Sequence, residues 1–130
     1  MGYRSDVTII MYAERKDFAV FKLWFDENMV PVLKEHWASE RVEEFERKAS
    51  EAREYKGYAI HIGDVKWYDD YPQVMALNET WDKFAELFDG DNTLEIGAEF
   101  MRIGEDYGDV EYNDTRHAQS LLELSRKAEY

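Results

Sequence analysis

The chain has 130 residues, 29 Asp+Glu against 16 Lys+Arg, a net charge of −13 and no cysteine. The missing cysteines exclude disulfides, thiolate zinc sites, iron–sulfur clusters and cysteine nucleophiles. An aromatic content of 15% supplies bulky core material, so the acidity is not the signature of a disordered chain.

The charge is unevenly placed. Residues 67–114 hold 14 acidic side chains against 2 basic, a net of −12, whereas 1–66 hold 13 against 11. Such a block repels phosphate and anionic membrane and attracts basic surfaces or cations. Direct nucleic-acid and membrane binding are therefore not expected. No basic-then-apolar leader opens the chain, and no apolar run approaches the roughly 18 residues of a membrane span, so a cytoplasmic protein is expected. In that setting Asn78-Glu79-Thr80 and Asn113-Asp114-Thr115 read as chance glycosylation triplets.

Residues 5–12 alternate, with Val7, Ile9 and Met11 on one face of a strand. Phe18, Phe21, Phe25, Met29 and Val32 then recur at helical spacing over 15–37, and Pro31 should kink or restart that helix. Ser39 suits the N-cap of a second, densely charged helix over 40–54, with a thin stripe of Val42, Phe45, Ala49 and Ala52. So narrow a stripe suits a core edge or a homodimer contact with a second copy.

A second strand, 58–67, carries Ile60 and Ile62 in one phase and Val65 and Trp67 in the other, which predicts a bulge near Gly63. Asp70 with Gln73, and Pro72 in the first turn, predict the start of a helix. Val74, Leu77, Trp81, Phe84 and Phe88 mark its apolar face, and it stops at Asp89-Gly90-Asp91-Asn92. Leu94, Ile96, Ala98 and Phe100 alternate in a third strand, followed by a turn and a short fourth strand over 109–113. The tail 115–130 is ambiguous between helix and edge strand.

The expected fold is one α+β domain over 1–130. It is a mixed four-stranded sheet with helices on one face, a relative of the ferredoxin-like arrangement, with 40–56 as an inserted charged helix.

No cofactor or catalytic motif emerges. The loop from Asp89 begins like a calcium loop, but its sixth position is Leu94 and its twelfth is Phe100, so the glycine and bidentate glutamate are missing. His36, His61 and His117 show no metalloprotease spacing, and no nucleophile elbow or phosphate-binding glycine loop is present. An acidic cluster joins Asp69, Asp70, Glu105, Asp106, Asp109 and Glu111, but its two loops meet only if the second and third strands run parallel and end together. Trp67, Tyr68, Asp69 and Asp70, with Glu105, Asp106, Tyr107, Asp109 and Glu111, form the candidate partner-binding set: aromatic and acidic, suited to a basic protein. Arg4 and Arg102 are the candidate anion-binding residues, although a carboxylate such as Glu105 or Asp6 is the simpler partner for Arg102.

Three stretches carry a resemblance: Met1-Gly2-Tyr3-Arg4-Ser5-Asp6-Val7, Val65-Lys66-Trp67-Tyr68-Asp69-Asp70-Tyr71-Pro72, and Phe100-Met101-Arg102-Ile103-Gly104-Glu105-Asp106-Tyr107. Together they resemble a group of small, mostly uncharacterised proteins of bacteriophages and prophages, over the first strand and roughly 58–112. The resemblance implies an accessory protein in the host cytoplasm that modifies host processes or blocks a defence system. Its expected partner is a basic, nucleic-acid-binding host protein, a CRISPR or restriction component, met by an acidic face that partly imitates nucleic acid. The alternative is a small-ligand or divalent-metal site, or an enzyme, built from loops 67–70 and 104–111 with Arg4 or Arg102.

Overall fold

A computed structural model describes residues 4–37, 41–50, 53–68, 70–90, 93–104, 108–115 and 118. Its strands are β1 (Ser5–Glu14), β2 (Arg41–Ser50), β3 (Arg53–Val65), β4 (Ile96–Gly104) and β5 (Val110–Asp114). Its helices are α1 (Phe18–Trp24), α2 (Val30–His36) and α3 (Pro72–Asp89). A π turn over Phe25–Met29 joins α1 to α2, so the two form one arm.

That π turn answers Pro31. A proline lacks the N–H for the ordinary helical bond and its ring presses on the carbonyl four residues back, so widening the turn just before it relieves both problems. Asn28 Nδ2 donates to the Trp24 carbonyl at 2.9 Å within the widened turn.

The five strands lie in the order β2-β3-β1-β4-β5, and every neighbouring pair is antiparallel. Each helical connection leads to a strand that is not a neighbour: β1 and β2 share a direction with β3 between them, and β3 and β4 share one with β1 between them. Five strands, all antiparallel, correct the expected mixed, four-stranded sheet in both strand count and strand direction.

The extra strand is the stretch expected as a helix. Residues 41–50 form the edge strand β2, zipped along β3 from Arg41↔His61 to Ser50↔Arg53. Helix propensities favour this charged segment by only tenths of a kcal/mol per residue. Pairing with the long β3, and packing Phe45 against Tyr12 with ring centroids 6.2 Å apart, outweighs them. Exposed Glu43, Glu44, Glu46, Arg47 and Lys48 then stud an otherwise bare edge, which discourages further strand addition. The proposed homodimer contact loses its helix with this correction.

Alternation on β1 divides the molecule. Val7, Ile9, Met11 and Ala13 face the helices and pack with Ile60, Ile62, Ile96 and Ala98 beneath Phe21, Phe25, Met29, Leu77, Phe84 and Phe88. Each such large buried side chain contributes about 1.5–3 kcal/mol relative to exposure. Ile10 and Tyr12 turn the other way and meet Tyr55, Ala59 and Phe45. At the crossing of β1 and β3, a Cβ on Gly57 would lie 2.1 Å from the Met11 carbonyl oxygen, so only glycine permits this approach.

The phase change near Gly63 is a bulge: the partners jump from Val7↔Ile62 to Ser5↔Val65. Helix α3 begins at Pro72, but Tyr71 is its N-cap with no side-chain cap bond, so the expected Asp70–Gln73 capping arrangement is not formed. No helix among the described residues is long and apolar enough to cross a membrane. The tail from 116 onward lies outside the described residues except for Ala118.

Candidate functional site

Ser5, the first residue of β1, pairs with Val65 on one side and Gly104 on the other. Strands β3 and β4 therefore end together, pointing the same way, about two strand spacings or ~9–10 Å apart. This is the condition on which the two acidic loops could share one end of the molecule. Asp69, Glu105, Asp106 and Tyr107 lie outside the described residues. The described members of the set divide into an inward and an outward group.

Trp67 turns inward. Its ring stacks on Trp37 at 6.2 Å and tilts against Phe100 at 5.7 Å, covering the core as much as facing solvent. Tyr68 and Asp70 are exposed, and Tyr68 meets Tyr71 edge to face at 5.2 Å. The Tyr71 N–H donates to the Tyr68 carbonyl at 3.0 Å, closing the turn that presents them.

Across β1, Arg102 gathers the other carboxylates. It lays a two-pronged fork on Asp109, at 3.2 and 3.1 Å, and its Nε donates to Glu111 at 3.3 Å. Its Nη1 also donates to Ser5 Oγ at 3.1 Å. Side-chain hydrogen bonding to Asp109 is the largest cause holding the guanidinium's pKa above its ordinary value. Arg102 is thus a structural tie between β1, β4 and β5 through Ser5, Asp109 and Glu111, while Glu105, the other carboxylate expected beside it, lies outside the described residues. Arg4 is exposed beside Ser5 at the same end of the sheet.

Between α3 and the uncovered edge of the sheet lies a cavity of about 150 Å³. Trp67, Trp81 and Phe100 supply aromatic walls, while Asn78, Asn113 and Glu111 supply polar groups. Phe100 is central: Trp81 meets it edge to face at 6.4 Å and 72°, opposite the tilted contact with Trp67. Sequence reasoning assigned Trp81 and Phe100 to the core and the two asparagines to chance triplets. In the fold both triplets converge here, and their threonines have structural roles. Thr80 Oγ1 donates to the Ala76 carbonyl at 2.8 Å, and Thr115 Oγ1 accepts from the Ala98 N–H at 2.9 Å. Nothing in the local sequence marks that convergence, because it depends on β5 pairing with β4 under α3.

A second polar constellation occupies the other face of the sheet. Glu99 is fully buried on β4, where its carboxylate accepts hydrogen bonds from the Tyr12 hydroxyl and, at 2.8 Å, from the Tyr112 hydroxyl. Alternation gave no hint of it, since glutamate in a strand is normally turned to solvent.

Among the described residues no three His, Asp or Glu side chains converge as a metal site. His36 sits beside Glu35 and His61 beside Glu43, each at 3.8 Å; His117 lies outside the described residues. The arrangement offers carboxylates over an aromatic surface and a small aromatic cavity. No family model matches the chain, and no curated protein or solved structure matches it.

Proposed function

We propose that the protein is a binding module, not an enzyme, that docks on a basic surface of a host nucleic-acid-handling protein. In the phage setting implied by the resemblance, that occupation would inhibit a defence system such as CRISPR or restriction, the acidic face standing in for part of a nucleic acid. One observation carries this reading. The two elements that flank the aromatic cavity, α3 and β5, expose Glu79, Asp82, Glu86, Glu111 and Asp114, with Lys83 as the single cation between them. Asp70 and Tyr68 add to the same acidic–aromatic character at the sheet end. Charge of one sign spread over adjoining elements steers a basic partner, and exposed aromatics give it anchoring contacts.

The test is capture of bacterial proteins by the tagged chain at low and high salt, repeated with Asp82→Lys combined with Glu86→Lys. The expected result is a specific basic protein retained at low salt, released at high salt and lost by the charge reversal. Retention unchanged by both salt and reversal would overturn the reading.

A further inference from the structure

The cavity between α3 and β5 is more selective than an acidic surface requires. Its walls are Trp67 and Trp81, set around Phe100 at interplanar angles of 41° and 72°. Rings inclined to one another in this way present several π faces to one small volume, the arrangement that attracts a cation stripped of water. A single flat ligand would gain more from two parallel walls. The polar groups agree with the rings. Asn78 and Asn113 bring side-chain amides, the Asn113 carbonyl also accepting from the Asp114 N–H at 3.0 Å, and Glu111 brings a carboxylate. Arg102 brings one positive charge against the two carboxylates it holds, Asp109 and Glu111, so this rim stays net negative. The surrounding −12 block raises the local concentration of cations and repels phosphates.

We propose that this cavity is an aromatic cage for the alkylammonium end of a lysine side chain, bare or methylated, presented by a basic partner. The cage rests on the reading of the protein as a binder of basic surfaces, and it gives that surface its anchor. A butylammonium arm enters between Trp67 and Trp81, its methylenes lie on Phe100, and its charge faces Glu111. The exposed carboxylates of α3 and β5 then meet the neighbouring charges of the same basic segment.

The test uses the full chain and two small probes, Nα-acetyl-lysine amide and Nα-acetyl-norleucine amide, which keeps an alkyl side chain without the ammonium, with adenosine as a third. Because Trp67 and Trp81 line the cavity, intrinsic fluorescence reads occupancy directly. The lysine probe is expected to produce a saturable change, with the norleucine probe about tenfold weaker. Glu111→Gln, an exposed position whose replacement leaves the fold intact, should weaken the lysine probe and leave the norleucine probe unchanged. Equal binding of the lysine and norleucine probes, no response to either, or tighter binding of adenosine would each overturn the cage. The two readings separate cleanly. Salt-sensitive capture without lysine-probe binding removes the cage and leaves the acidic surface standing. Lysine-probe binding without capture supports the cage and removes the surface.

Discussion

Arg102 grips Asp109 with both ends of its guanidinium, Nη1 at 3.2 Å and Nη2 at 3.1 Å, and so fastens the turn that folds β5 back along β4. The same turn is closed by the Gly104 N–H donating to the Asp109 carbonyl at 2.8 Å, with Gly108 at φ 85°, a left-handed conformation that favours glycine. Because β5 forms one side of the aromatic cavity, this one ion pair links local turn chemistry to the site.

Arg102→Lys keeps the charge but loses the fork, and should destabilise the fold by about 1 kcal/mol. Glu111→Gln should cost less than half as much, since the Glu111 side chain is 51% exposed and solvent screens the pair. Urea midpoints of the two variants, at equal m-value, compare them directly. Equal costs would mean that the fork is not the dominant tie.

Gly57→Ala should be far more damaging than a surface alanine. Its Cβ would meet backbone of β1 at 2.1 Å and Tyr12 Cβ at 2.6 Å, so the strands must separate. The expected loss is about 3 kcal/mol or more, at or beyond the usual range for overpacking. A thermal midpoint within a degree or two of the parent would refute the close approach.

Glu99 should behave as the hub of its network. Tyr112→Phe and Tyr12→Phe each remove a donor to a buried carboxylate and should each cost about 1–3 kcal/mol. Removing both should differ from the sum, because the two hydroxyls serve one carboxylate. Strict additivity in a double-mutant cycle would show that Glu99 does not couple them.

Alkaline stability follows from two tyrosines. Burial pushes the phenols of Tyr55 and Tyr58 above their ordinary ionisation range; Arg53 opposes it at Tyr55 and Lys22 at Tyr58. The unfolded chain therefore releases these protons first, so the contribution is complete below the unfolded value near pH ~10 and is lost as pH rises through the folded values. Among the described residues the buried Tyr55 hydroxyl also has no hydrogen-bond partner. Tyr55→Phe should thus leave stability at neutral pH unchanged or improved and flatten its decline above pH ~10. A steeper alkaline decline in the variant would contradict this account.

Periodicity alone located β1, α3 and the bulge at Gly63, because in those segments local pattern and tertiary packing agree. The segment 41–50 shows the opposite case. Its charges and three-four spacing favour a helix locally, yet the open edge of β3 and the rings of Tyr12 and Phe45 make it a strand. A preference worth tenths of a kcal/mol per residue cannot resist a long ladder of backbone bonds.

The site divides along the same line. The sequence by itself determined the acid-rich block after residue 66, the aromatic residues around Trp67 and the absence of thiol chemistry, since these depend on composition and order alone. Only the tertiary structure decided which of them meet. It ended β3 and β4 together beside Ser5, committed Arg102 to Asp109 and buried Glu99 between two tyrosines. It also brought Asn78, Trp81, Phe100 and Asn113 around one cavity. Those meetings are set by strand order and register, long-range pairings that leave no periodic mark on the chain.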